Sequence, residues 1–258
     1  MRMVRMITMW EYNWCVLFWI TVAIAVFFIL LRIPAPYGKT ARKGWGPLVN
    51  SRYGWVFMES SAFGSFLILF LLGERGRTIV GIVFFLLWEI HYIHRAFIYP
   101  FRIKGGEKKM ALSVVLMGFS FNVINGCVNG IFLFFLSRPY SLSWLYDLRF
   151  IGGILLFGVG FAISSLSDTL LRRIRKGGSS AYEIPKGFLF TYISCPNYFG
   201  EIIEWLGWAL LTWSFGGVSF LVWTCANLIP RAITYHEWYR KKFPNYPKER
   251  KAVIPFLL

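Results

Sequence analysis

The stretch from Pro185 to Leu258 is apolar enough to sit in lipid, yet it carries Asn197, Glu201, Glu204, Asn227, Arg231, His236 and Glu237. Ionisable groups at membrane depth are costly, so they normally face a protein interior or a wet cavity. Asn197, Glu201 and Glu204 stand at i, i+4 and i+7, a polar stripe on a helix otherwise rich in Ile, Trp and Leu. Carboxylates there would repel phosphate, so the stripe suits a ribose or an amide-bearing ring; a structural network with arginines of neighbouring helices is the alternative. Arg231, Tyr235 and Tyr239 repeat at steps of four. Arginine and tyrosine together can hold phosphates and stack on a nucleotide. Snorkelling side chains in an interfacial aromatic belt give the same pattern.

Two further groups lie upstream. Ser164, Asp168 and Arg172 share one helix face, with Arg175 close to it. An arginine there could meet an anion such as a nucleotide phosphate while Asp168 bonds a hydroxyl or amide; a solvated helix end is the competing reading. The other group is Glu59 with Glu89, His91, Tyr92, His94 and Arg95. A carboxyl group alone in lipid tends to keep its proton. A neutral acid and a phenol can both donate to a carbonyl oxygen, which is how an enolate is stabilised. Pairing of Glu59 with Arg95 or a histidine would explain the same residues.

These groups need elements to hold them, and composition says which. Of the 258 residues 57% are hydrophobic and only 16% charged, against about 25% in a soluble domain. The apolar residues come in blocks of about 20, the length of a membrane helix. The expectation is one all-α, multi-pass bundle of seven spans, near 14–31, 53–72, 78–100, 110–136, 148–167, 199–213 and 218–242. Within this single domain 1–136 forms the substrate side and 148–258 mainly the cofactor side. The fourth span carries Asn122, Asn125 and Asn129 with Gly118, Gly126 and Gly130. Small residues and cross-bonding amides explain that face by packing alone.

Charge sets orientation. Arg2, Arg5, Arg75, Arg77, Arg138 and Arg149 fall on one side of such a bundle, and every other basic residue except intramembrane Arg95 on the opposite side. The positive-inside rule then places the N-terminus outside and the C-terminus in the cytoplasm. The net charge of +16 is therefore not a nucleic-acid signal, because no basic aromatic sheet or zinc-finger spacing accompanies it. Cys15, Cys127, Cys195 and Cys225 stand far apart without a CxxC, so neither disulfides nor thiol chemistry is expected. His91 and His94 lack the HExxH arrangement, and no metal is expected. Gly158 and Gly160 sit inside a span without the third glycine or preceding strand of a dinucleotide fingerprint. A nucleotide would have to be held by helices and loops.

The block NYFGEIIEWLGWALLTWS and the ending YPKERKAVIPFLL, together with HYIHRAF and WVFME, resemble the steroid 5-alpha-reductase family. The C-terminal half alone is also similar to sterol reductases and isoprenylcysteine methyltransferases. The resemblance implies seven spans, NADPH as hydride donor, and a steroid or other enone lipid as acceptor, acted on by a monomer in the lipid membrane. It matches Glu59 and Tyr92 to the pair that bonds the substrate 3-ketone. It matches Ser164, Asp168, Arg175, Tyr182, Asn197, Glu201, Arg231, Tyr235 and Tyr239 to cofactor contacts. Ser164 stands where animal members carry asparagine, and Tyr235 where they carry histidine. The implied reaction on a delta-4,3-ketosteroid is hydride transfer to C5 and protonation at C4, the proton donor unassigned. On the residues alone, a membrane methyltransferase using S-adenosylmethionine and a non-enzymatic lipid-binding or transport protein remain open.

Overall fold

A computed structural model describes residues 7–102, 108–174 and 183–258. Seven long helices succeed one another: α1 (Met9–Arg32), α2 (Ser51–Leu72), α3 (Ile79–Arg102), α4 (Leu112–Leu136), α5 (Leu148–Ile174), α6 (Pro196–Thr212) and α7 (Phe215–Lys242). The first five are long and apolar enough to cross a membrane. With 17 residues, α6 reaches about 25 Å and is an inner helix, largely covered by its neighbours. The chain is a multi-pass integral membrane protein with an all-α fold, as its apolar blocks require. Two strands of three residues, Leu48–Asn50 and Lys109–Ala111, pair antiparallel and clip the loops before α2 and α4 together.

Local chemistry sets the helix ends. Thr8 and Glu11 form a reciprocal capping box at α1, which begins five residues before the expected Trp14. Asn50, Thr78 and Ser214 cap α2, α3 and α7 by accepting from free backbone N–H groups. Pro196 opens α6, where its missing N–H removes no helical bond. Trp213, in the left-handed conformation at φ 44°, closes that helix. The break expected at SFGG is thus shorter: Ser214 is the cap, and Phe215 already belongs to α7. The C-terminal tail is stitched to the start of α6. Ser194 N–H donates to the Lys251 carbonyl at 2.8 Å and Cys195 N–H to that of Ala252 at 3.1 Å. Val253 is fully buried there.

A π-helical turn, Ile93–Ile98, interrupts α3 before its last α-helical turn, and α4 ends in another, Phe132–Leu136. A π turn inserts an extra residue and rotates the rest of the helix, and such bulges gather at functional sites. Arg95 lies inside the first of them.

The closest helix pair is α5 with α6. A Cβ on Gly160 would run into the backbone nitrogen of Glu204 and would meet Gly200 O at 2.6 Å; one on Gly207 would run into the Phe157 nitrogen and meet Gly153 O at 2.5 Å. Those obstacles are backbone and cannot rotate away, so only hydrogen fits. Gly160→Ala should cost about 3 kcal/mol of stability by overpacking. Gly158→Ala, where nothing lies within 4 Å, should be neutral. Thermal unfolding in detergent of the two variants checks this, and equal melting temperatures would contradict it.

Candidate active site

A cavity of about 640 Å³ opens between α1, α2, α3, α4, α6 and α7. That is within the range of small-molecule pockets. Its wall is mostly apolar, with Trp19, Met58, Trp205, Phe220 and Trp223 among the lining residues. Few polar groups interrupt it, and they converge. Glu59 from α2, His91, Tyr92 and Arg95 from α3, Asn122 from α4 and Glu201 from α6 all line it.

These groups are tied to one another. Arg95 Nη1 lies 3.1 Å from Glu201 Oε1, and its Nε 3.7 Å from Glu59 Oε1. Asn122 Nδ2 donates to the Met58 carbonyl at 2.9 Å and to Glu59 Oε2 at 3.3 Å. His91 Nδ1 is 2.7 Å from Oε1 of fully buried Glu204. Tyr92 is wedged between Trp88 and Trp205 and has the Asn125 side chain beside its hydroxyl. Two carboxyls therefore share one guanidinium. The group of Glu59, Glu201 and Arg95 is electrically neutral when one carboxyl keeps its proton, and the closer arginine contact is to Glu201. Leaving an unbalanced charge in so apolar a site would be costly.

The stripe of α6 is real, but each member has a different partner. Asn197 Nδ2 donates to Asp168 Oδ1 at 3.2 Å, Glu201 meets Arg95, and Glu204 meets His91. Asp168 and Ser164 are buried on α5, with Ser164 at the point where Gly200 of α6 presses closest. Arg172 turns back on its own helix and donates to Thr169 Oγ1 at 2.5 Å. Arg175 and Tyr182 lie outside the described residues.

A second polar cluster borders the cavity through Asn227. Arg231 donates from Nε to Tyr198 OH at 2.8 Å and from Nη2 to Tyr235 OH at 2.7 Å. Its guanidinium lies 3.5 Å from the centre of the Tyr37 ring. Burial pushes the Tyr37 phenol up from its ordinary value, with Arg231 pulling the other way. Gly38, at φ +68°, lets this loop close down, since a Cβ there would meet Tyr235 OH at 2.8 Å. Arg231 Nη1 is buried without a hydrogen-bond partner. Tyr239 stacks on Tyr246 with ring centres 5.4 Å apart, and Lys39 lies over both its ring and that of Tyr235, at 3.7 and 4.8 Å.

Asn122, Asn125 and Asn129, expected as packing residues, do more than pack: Asn122 lines the cavity and reaches Glu59. Among the described residues no group of three His, Cys, Asp or Glu could hold a metal ion.

Known proteins are similar to this chain over most of its length. The profile of the 3-oxo-5-alpha-steroid 4-dehydrogenase family matches residues 108–258. Steroid 5-alpha-reductase DET2 of Arabidopsis thaliana is 39% identical over 252 residues, covering 95% of this chain and 96% of that protein. The 3-oxo-5-alpha-steroid 4-dehydrogenase 1 of Bos taurus is 38% identical over 239 residues, 90% of this chain and 92% of that protein. Its Homo sapiens counterpart is 38% identical over 238 residues, 92% and 91% of the two chains.

Proposed function

This chain belongs to the 3-oxo-5-alpha-steroid 4-dehydrogenase family, and we propose that Glu59 and Tyr92 are the two donors that hold and polarise the 3-ketone of its substrate. The protein is a membrane-embedded oxidoreductase that reduces the delta-4 double bond of 3-ketosteroids. The observation that carries the site reading is the convergence of Glu59 and Tyr92 on one apolar cavity, with a single arginine shared between Glu59 and Glu201.

Each residue has a task. Glu201 holds Arg95, so Glu59 sits uncharged and donates a hydrogen bond to the ketone oxygen. Tyr92 donates to the same oxygen. Both pull electron density from the conjugated double bond and leave C5 electrophilic. Bound NADPH supplies the hydride that C5 accepts. Negative charge then collects on the ketone oxygen, and the two donors bind it more tightly than they bound the ketone, which is what lowers the barrier. C4 takes a separate proton, not one from this pair, and the enolate returns to the ketone. The tryptophans around the cavity exclude water from the reacting atoms.

For the cofactor, the orphaned Nη1 of Arg231 fits an anionic phosphate. Tyr235 and Tyr198 would steady that arginine, while Asp168, Asn197 and Glu201 would meet hydroxyl and amide groups. Ser164, Arg172, Arg175, Tyr182 and Tyr239 complete the set that family likeness or helix spacing suggests. We assign 1–136 to the substrate side and 148–258 mainly to the cofactor side, in one domain. We read the protein as a monomer, because Glu59, Tyr92, Arg95 and Glu201 meet in one cavity of a single chain. The basic loops support a cytoplasmic C-terminus and cofactor side, with the N-terminus outside.

Incubating the purified protein with testosterone or progesterone and NADPH or NADH tests the reading. The expected product is about two mass units heavier, as addition of a hydride and a proton requires, 5-alpha in stereochemistry, and formed faster with NADPH. Unchanged steroid with either nucleotide would contradict it.

A further inference from the structure

The asparagine face of α4 carries a chain of hydrogen bonds whose direction is fixed at one end. The Trp208 indole N–H donates to Asn129 Oδ1 at 2.9 Å. An indole nitrogen can only donate, so the Asn129 amide must present its oxygen there. Its Nδ2 is then left to donate to Asn125 Oδ1 at 3.2 Å and to the Asn125 carbonyl at 3.0 Å. With its own oxygen engaged, Asn125 has only Nδ2 to offer. That nitrogen is buried without a hydrogen-bond partner, and the Tyr92 hydroxyl is the group that lies beside the Asn125 side chain. Reversing one amide would set donor against donor. Reversing the whole chain is barred, because Trp208 has no acceptor to give.

We propose that Asn125 is a positioning residue for Tyr92: held by Asn129 and Trp208, it gives its amide proton to the phenol oxygen, so the Tyr92 proton points into the cavity. The idea rests on the reading of Tyr92 as a ketone donor. Without such a fixed neighbour, the phenol could spend its proton on a nearby amide oxygen and be a poor donor to substrate. Accepting one hydrogen bond also strengthens the bond a hydroxyl donates. Asn125, Asn129 and Trp208 are all buried, so water does not compete for these bonds. The packing role expected for this face is kept, with a directional role added to it.

Asn125→Asp tests this, because it keeps the shape and puts an acceptor where the donor was. Single-turnover enone reduction at saturating NADPH is compared for the wild type, N125D, Y92F and N125D/Y92F, with NADPH affinity measured alongside. The expected result is a loss of about tenfold in N125D, no further loss beyond about twofold when Tyr92 is already Phe, and unchanged NADPH affinity. Trp208→Phe, which removes the indole donor along with some packing volume, should lose about threefold and likewise only in the presence of Tyr92. It carries the test in both backgrounds if N125D does not fold. An equal loss in both backgrounds, or no loss in a folded N125D, would overturn the proposal while leaving Tyr92 as a donor. A silent Y92F would remove the donor itself and the proposal with it.

Discussion

Glu59→Gln should slow enone reduction by about a hundredfold while NADPH binds as in the wild type, the scale seen when one donor to a developing oxyanion is lost. Glutamine keeps the length of the side chain and its lack of charge. Arg95 keeps Glu201, 3.1 Å away, so the charge balance of the site is undisturbed. Asn122 can still donate to the remaining side-chain oxygen, as it now does to Glu59 Oε2. What is lost is the carboxylic proton, a stronger donor than an amide N–H. Because that donor matters most once charge has moved onto oxygen, kcat should fall more than KM rises. Stopped-flow reduction and nucleotide titration of the same preparation measure both. Full turnover with intact NADPH binding would remove Glu59 from the reaction. A matching fall in NADPH affinity would mean that it serves the cofactor.

Tyr92→Phe should cost a similar factor, about a hundredfold in kcat. The ring is held independently of its hydroxyl, with Trp88 and Trp205 at centroid distances of 5.0 and 6.2 Å, so phenylalanine fills the same space. Stability should change little, and loss of rate without loss of fold is the signature to look for in parallel melting and turnover measurements. Poor folding of Y92F would instead assign the hydroxyl a structural task.

Much of this fold is legible in the chain. Long apolar blocks mark the first five helices, because a membrane helix must satisfy its backbone internally and its length is set by the bilayer, while α6 is shorter and α7 turns polar in its second half. Their ends are less clear. The capping pair Thr8 and Glu11 lies before the apolar block, and a left-handed Trp213 is not a residue type that announces a helix end. Glu59 and Tyr92 are readable through family likeness, and Glu201 through its place in a polar stripe. Arg95 is plainly intramembrane, but its position between two carboxyls depends on a π turn, for which IHRAFI carries no signal. The asparagines of α4 are undervalued by sequence for a related reason. An amide can bond almost anything, so its role emerges only when partners on other helices, Met58, Glu59 and Trp208, are known. Tyr239 is legible by its spacing of four from Tyr235, but its stacking on Tyr246 is not, because that partner comes from the tail beyond the helix.

The central claim is that two donors from adjacent helices act on one oxygen in a cavity that NADPH reaches. The E59Q/Y92F double variant tests it most directly, through its single-turnover hydride transfer at saturating NADPH. The rate should fall below that of either single variant while the nucleotide dissociation constant stays put. A double variant that reduces the ketosteroid as fast as the wild type, or one that fails only because NADPH no longer binds, would contradict the account.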